Sequence, residues 1–327
     1  MTAEVVTTLV ADRVLALIVL LQTLALAVSG PGTSPEYLPI WVAAADGHFA
    51  RQGLRVTLRA TRSEVGAAEA LAQSQVDLAA TSVEALLRFG IREGQNPRVV
   101  LGLTAAPPVA LVVDAAHGRL QTVADLAGQR VALSAPGAAE HTWLTLLLAR
   151  ARLTPAQIHL TSVGNHGLER ALMSSEVRAA LVPEPAASRL LAERRATLLA
   201  DLRTPAAAQR ALGVSTVSAA VFVRAERRPG ERELAAFTRA IIAAEERLGT
   251  GAVGDLAAKL PNAVVSGSAE EFEERLRQAR TLYLADGRVS PEQLEATLEL
   301  LHDHLPLPAR ARIQVLPQGR VKTTPGR

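Results

Sequence analysis

Apolar and polar positions along this chain switch repeatedly between a period of two and a period near 3.6, and the switches mark the predicted elements. Residues 23–29 read as a strand, and residues 37–45 as a short helix with Leu38, Trp41, Val42 and Ala45 on one face. Leu54, Val56 and Leu58 alternate with Arg55, Thr57 and Arg59, which predicts a strand with one polar side. Ser63 is placed to cap a helix over 64–73. Residues 76–80 form a buried strand, and Ser82 opens a helix with Val83, Leu86, Leu87 and Ile91 turned inward. Strands follow over 98–103 and 109–113.

A similar block comes next. Thr122 and Asp125 have capping-box spacing ahead of a strand over 130–134. Pro136-Gly137 turns the chain into a helix carrying Leu144, Leu147 and Leu148, and Thr154-Pro155 begins another with Pro at its first position. Strands over 158–163, 177–182 and 197–201 alternate with helices over 167–174 and 185–193. Residues 214–224 read as one long apolar strand. Helices are then expected over 231–248, 255–260, 269–284 and 291–304, with capping boxes at Ser268/Glu271 and Ser290/Gln293. Residues 305–327 hold four Pro, five basic and no acidic residues, and read as a loosely held tail. Strand–helix alternation of this kind is the pattern of an α/β protein with mainly parallel sheets.

The N-terminus adds an address. Arg13 precedes an apolar stretch over 14–28 whose densest part, residues 14–21, has the length of a secretory signal core. It is short for a membrane-spanning helix, which needs about 20 apolar residues. We read residues 1–22 as a signal peptide, with a retained anchor as the other form. An ordinary buried first element is the bland alternative.

Composition narrows the rest. The 327 residues suit two domains. Cysteine is absent, which removes disulfides, thiolate metal sites and cysteine nucleophiles. Aromatic residues make up 3% of the chain, too few for the stacking platforms that bind single-stranded nucleic acid. The 35 basic and 32 acidic residues leave +3, too little to argue for nucleic acid.

The segment from Leu38 to Val56, with Trp41, Asp46-Gly47-His48-Phe49 and Gln52-Gly53-Leu54, carries a recognisable pattern. So do Gln75-Val76-Asp77-Leu78-Ala79, the stretch from Val123 to Ala132 around Asp125-Leu126 and Gly128, and Val182-Pro183-Glu184-Pro185. In that order they resemble the nitrate/sulfonate/taurine and thiamine-precursor family of periplasmic substrate-binding proteins of ABC transporters, over about residues 23–300. The resemblance implies a two-lobed α/β periplasmic-binding-protein type II fold, mainly parallel sheets joined by two hinge crossovers. Lobe I would comprise residues 23–110 and 215–305, lobe II residues 111–214, and 306–327 a C-terminal tail. It also implies a periplasmic, monomeric solute-binding component that captures a small anionic or zwitterionic organic solute and passes it to an ABC permease and its ATPase. No cofactor or metal is implied.

The ligand of such a fold sits where strands end and helices begin, because unpaired N–H groups and the helix dipole favour an anion there. That places Ser34 and Tyr37 in the first Gly/Pro loop at the cleft, with Arg62 and Gly66 at the next helix start. Thr81 and Ser82 follow a strand end, and Ser82 serves equally as a structural cap. In the second lobe the matching turn runs from Ser134 through Gly137 to His141 and Thr142, with Asn165 and Glu184 at other element ends. Arg62 pairing an anion is set against a solvated surface Arg, and His141 against a surface His. Glu184 points either to a zwitterion or to its own helix dipole.

Two function classes compete with solute delivery. A thiamine-pyrimidine-synthesis-like enzyme shares the resemblance, but those enzymes depend on a cysteine-rich segment that this chain lacks. A solute sensor for a membrane receptor would share the site itself. Gly249-Thr250-Gly251-Ala252-Val253-Gly254 spells a dinucleotide fingerprint but follows a helix, so it reads as a helix stop. His302-Asp303-His304 lacks a third metal ligand nearby in sequence and suits a helix C-terminus.

Overall fold

The computed structural model describes residues 22–117, 120–134, 139–250, 253–307 and 312–316. The signal-peptide reading and Gly137 lie outside the described residues.

Two mixed sheets organise the chain. The first contains β1 (Gln22–Val28), β2 (Leu54–Ala60), β3 (Leu78–Ser82) and β4 (Pro97–Gly102). The second contains β5 (Val109–Asp114), β6 (Arg130–Leu133), β7 (His159–Ser162), β8 (Ala179–Pro183) and β9 (Ala196–Asp201). The chain then returns to the first sheet with β10 (Ala219–Arg224) and closes with β11 (Gln314–Val315). The strand orders are β11-β4-β10-β3-β1-β2 and β7-β6-β8-β5-β9. Each sheet holds one reversed strand. β10 runs antiparallel to β3 and β4, and β5 antiparallel to β8 and β9, while the other pairs are parallel. These two strands are the first that the chain enters after crossing from one sheet to the other, so each crossing sets one reversed strand into a sheet otherwise built in parallel.

The crossings are pinned by hydrogen bonds. Thr104 accepts from the Ala219 N–H through Oγ1, and its carbonyl accepts from the Ser218 N–H at 2.7 Å. Thr216 Oγ1 donates to the Ala105 carbonyl at 2.8 Å. Residues 214–218, expected as the start of a long strand, belong to this crossing, and β10 begins only at Ala219. The Gln293 side chain donates to the Thr216 carbonyl at 2.7 Å instead of completing a capping box with Ser290. Ser290 still accepts from the Gln293 N–H.

Apolar burial follows the predicted faces. Leu26, Tyr37, Ile40, Phe237 and Phe272 pack on one side of the first sheet. Leu144 and Leu147 join Leu294 and Leu301 in a cluster that continues from one sheet's helices to the other's. Three described helices fall outside the sequence expectations, the first being the single turn His48–Arg51. Pro205–Leu212 is capped by Thr204, whose Oγ1 accepts from the Ala207 N–H, and Asn262–Val265 is a single turn. Residues 312–316 depart from the loose-tail expectation, because Gln314 and Val315 pair with β4 and Ile313 and Leu316 are buried. Ser63 occupies the N-cap of Glu64–Ala72 without a side-chain cap bond. No described helix is long and apolar enough to cross a membrane.

Candidate functional site

The carboxyl ends of β1 and β3 lie side by side, and the loop after β1 folds over them. Ser29 Oγ donates to the Ala80 carbonyl at 2.9 Å, and the Ser29 N–H to the same oxygen at 3.1 Å. Gly30 then runs so close to the next strand's end that a Cβ would stand 2.2 Å from the Thr61 carbonyl oxygen. Only glycine fits this approach. The chain is thereby delivered to a 3-10 turn, Pro35–Tyr37, with Glu36 and Tyr37 facing inward and buried.

Glu64, the first residue of its helix, is the hub of the floor. Tyr37 Oη donates to Glu64 Oε1 at 3.0 Å and Ser82 Oγ to Glu64 Oε2 at 2.8 Å. Thr81 Oγ1 donates to the Glu64 carbonyl at 2.9 Å. Ser82 also accepts from the Ala85 N–H, so it is both cap and site residue. Beside this group Thr104 Oγ1 donates to Glu36 Oε1 at 3.0 Å.

Their surroundings leave these carboxyls poorly suited to carrying charge. Burial pushes Glu64 up to about 7, and Glu84 and Glu140 add repulsion, against the lowering effect of the Ser82 and Tyr37 hydroxyls. Glu36 is raised well above its ordinary range by burial and by the fields of Glu64 and Glu140, against its bond from Thr104. Burial likewise raises Glu140. The Tyr37 phenol is pushed well above its ordinary range by burial and by both glutamates, which keeps it a neutral donor. Glu140 lies in the first turn of Ala139–Arg150, after the second sheet's β6, yet it acts on Glu36 and Glu64 from the first sheet.

The second lobe's other contribution is a clamp. Arg203 holds Asp201 through Nε at 2.8 Å and Nη2 at 2.9 Å, and donates through Nη1 to Ser188 Oγ at 2.8 Å and Glu184 Oε1 at 3.3 Å. Glu184 accepts from the Ser188 hydroxyl and N–H at the start of the Ala186–Ala192 helix. A cavity of about 180 Å³ is bounded by Pro35, Gln278 and Thr281 on one side and Pro108, Glu184 and Arg203 on the other.

A family model described as NMT1/THI5 like matches residues 34–245, the span that contains every one of these groups except Gln278 and Thr281 and those of residues 29–30. The chain belongs to the NMT1/THI5-like family. Its fold is that of two-lobed periplasmic binding proteins. The alkanesulfonate-binding protein SsuA from Xanthomonas axonopodis pv. citri, bound to MOPS, is similar at a TM-score of 0.61 and 18% identity, over 90% of this chain and 98% of that one. The periplasmic aliphatic sulphonate-binding protein SsuA from Escherichia coli gives 0.64 and 18%, over 86% and 92%. The periplasmic nitrate-binding protein NrtA from Synechocystis PCC 6803 gives 0.51 and 14%, over 79% and 69%. Comparison with curated proteins finds no match.

Within this family member, the residues expected at the cleft fall in different places. Tyr37, Thr81 and Ser82 converge on Glu64, and Glu184 lines the interlobe cavity while engaged by Ser188 and Arg203. Ser34 is half-buried at the N-cap of the 3-10 turn without a side-chain bond, and Gly66 packs against Thr61 in the Glu64–Ala72 helix. Arg62 is exposed and makes no ion pair among the described residues. Ser134 directly follows β6, and its carbonyl accepts from Ser162 Oγ and the Gly164 N–H. His141 and Thr142 follow Glu140 in the helix's first turn, half-buried and buried respectively. Asn165 opens a 3-10 turn, and its side chain lies outside the described residues. Sequence reasoning passes over Glu36, Glu64, Thr104, Glu140 and Arg203. Glu64 and Glu140 look like acids complementing a helix start, and Glu36 like a loop residue.

Proposed function

We propose that this protein is the solute-binding component of an ABC importer, exported to the periplasm, that captures a small organic solute between its lobes and presents it to a permease. The observation that carries this is the convergence of Tyr37, Glu64 and Ser82 at the strand ends of the first sheet, with a cavity between Pro35 on that side and Glu184 and Arg203 on the other. Rotation about residues 103–108 and 214–218 would open the cleft with little change inside either sheet. Similarity to SsuA and NrtA, which are named as binding proteins, supports binding over catalysis. Among the solutes that the family resemblance implies, a zwitterion or a nitrogen heterocycle suits the carboxyl-lined floor better than nitrate or a plain sulfonate.

The test is thermal-shift screening with taurine, ethanesulfonate, nitrate and aminopyrimidines, followed by small-angle scattering with any stabilising solute. A ligand at 100 times its Kd adds about 2.7 kcal/mol of stability. A stabilising solute with a smaller radius of gyration in its complex supports the proposal. No stabilisation by any of these solutes would count against it.

A further inference from the structure

We propose, building on the solute-binding reading, that Gln278 and Thr281 set the size limit of the solute, because they close one side of the interlobe cavity. That cavity holds about 180 Å³. An interior space of about 150 Å³ accepts one benzene ring, so there is room here for a single ring or a short chain and little more. Glu184 and Arg203 bound the cavity on one side and Gln278 and Thr281 on the other, while Pro35 and Leu282 add apolar surface.

A cavity sorts by size only if its walls are held, and both walls are. Tyr283 Oη donates to the Pro35 carbonyl at 2.7 Å, and the Leu284 N–H to the Leu103 carbonyl at 2.9 Å. Tyr283 also forms a backbone bridge with Thr104. The segment that carries Thr281 and Leu282 is thereby tied to the loop after β1 and to the crossing. Opposite it, the Glu184 N–H donates to the Pro108 carbonyl at 2.9 Å, and Arg203 gathers Asp201, Ser188 and Glu184 around one guanidinium. Overfilling such a space forces side chains out of their preferred positions.

Gln278 and Thr281 stand three residues apart across the end of the Ala269–Ala279 helix, which brings them to the same side. Their charged neighbours are engaged elsewhere: Arg277 pairs with Glu274, and Arg280 Nε donates to the Leu248 carbonyl at 3.2 Å. The Gln278 amide is fixed by donating to Glu274 Oε1 at 2.6 Å. This side of the cavity is therefore neutral, and it sorts by volume and hydrogen bonding whatever the charge of the solute. Gln278, Thr281 and Leu282 lie beyond residues 34–245, the span that the family model matches, whereas Pro35, Pro108, Glu184 and Arg203 lie inside it. The size limit is thus set outside the matched span.

Thermal shift on the full chain as purified compares a small set (taurine, ethanesulfonate, nitrate and 4-aminopyrimidine) with MOPS and octanesulfonate, and calorimetry gives the Kd of each responder. MOPS carries a chain on its ring, and octanesulfonate is a longer chain than the cavity holds. The wild type should be stabilised from the small set only. Thr281 is exposed, so its replacement leaves the core alone. Thr281→Trp should weaken the best small probe tenfold or more by filling the cavity, and Thr281→Ser should bind it as the wild type does. The Gln278→Ala, Thr281→Ala double variant should bind MOPS or octanesulfonate at least tenfold more tightly than the wild type. Circular dichroism and the melting temperature of each variant show that it is folded. Equal stabilisation of the wild type by the large and small probes, or affinities unchanged in Thr281→Trp or in the double variant, overturns this inference and leaves solute binding standing. No stabilisation by any probe overturns both.

Discussion

Replacing Glu64 by glutamine should stabilise the empty protein, and only above the pH at which an ordinary carboxylate ionises. In the unfolded chain this carboxyl titrates near 4.5, and in the folded protein near 7. Between those values the folded state holds a proton that the unfolded state has lost, so stability falls as pH rises through the window. At 1.36 kcal/mol for each tenfold mismatch, the loss has a ceiling of about 3 kcal/mol. Some solvent reaches the residue, so about 1–2 kcal/mol is the working figure. The substituted glutamine carries no charge at any pH, and its amide can still accept from the Tyr37 hydroxyl and donate to Ser82. Urea unfolding followed by the fluorescence of Trp41 and Trp143 should give stabilities for wild type and variant within about 1 kcal/mol of each other at pH 5. At pH 8 the variant should lead. A wild-type curve that runs parallel to the variant's from pH 5 to 8 would refute the reasoning, because Glu64 would then ionise equally well in both states.

Four further outcomes rest on single contacts. Thr104→Val strips Glu36 of its donor and the Ala219 N–H of its acceptor, so it should cost about 2 kcal/mol or more in urea unfolding. Gly30→Ala would force a methyl against the Thr61 carbonyl and push the first loop off the Glu64 helix start; solute-induced stabilisation should be lost while circular dichroism stays native. Gly213→Ala, at φ +80° beneath the Arg150 guanidinium, should lower stability by about 1–2 kcal/mol. Lys259 and Arg247 hold Asp46 low against its burial, so its pairing stabilises the protein above the ordinary aspartate range and is lost as pH falls through the depressed value; Asp46→Asn should flatten the acid limb of a stability–pH curve.

What can be read from the sequence is whatever is decided within a few residues. Two of the expected capping patterns, at Thr122/Asp125 and Ser268/Glu271, form as full boxes within three residues. The third stays incomplete for a tertiary reason: the Gln293 side chain finds the Thr216 carbonyl at the crossing, and only its N–H remains on Ser290. The start of β10 is displaced from its expected position on similar grounds, since Val214, Val217 and Ala219 are equally apolar and only the crossing decides which of them joins the sheet. The Pro205–Leu212 helix is legible in Thr204-Pro205, a cap and a first-turn proline, which the sequence reading passes over.

The site shows the same division. Tyr37, Thr81 and Ser82 are found because the end of a strand is where a ligand is expected, and hydroxyls serve any ligand. The carboxyls are missed because acids at Glu64 and Glu140 are also what a helix N-terminus attracts, and nothing local says that the two helix starts face each other. That facing is what changes their meaning. One acid at a helix start is stabilised by the dipole, whereas burial and mutual repulsion leave Glu36, Glu64 and Glu140 inclined to keep their protons.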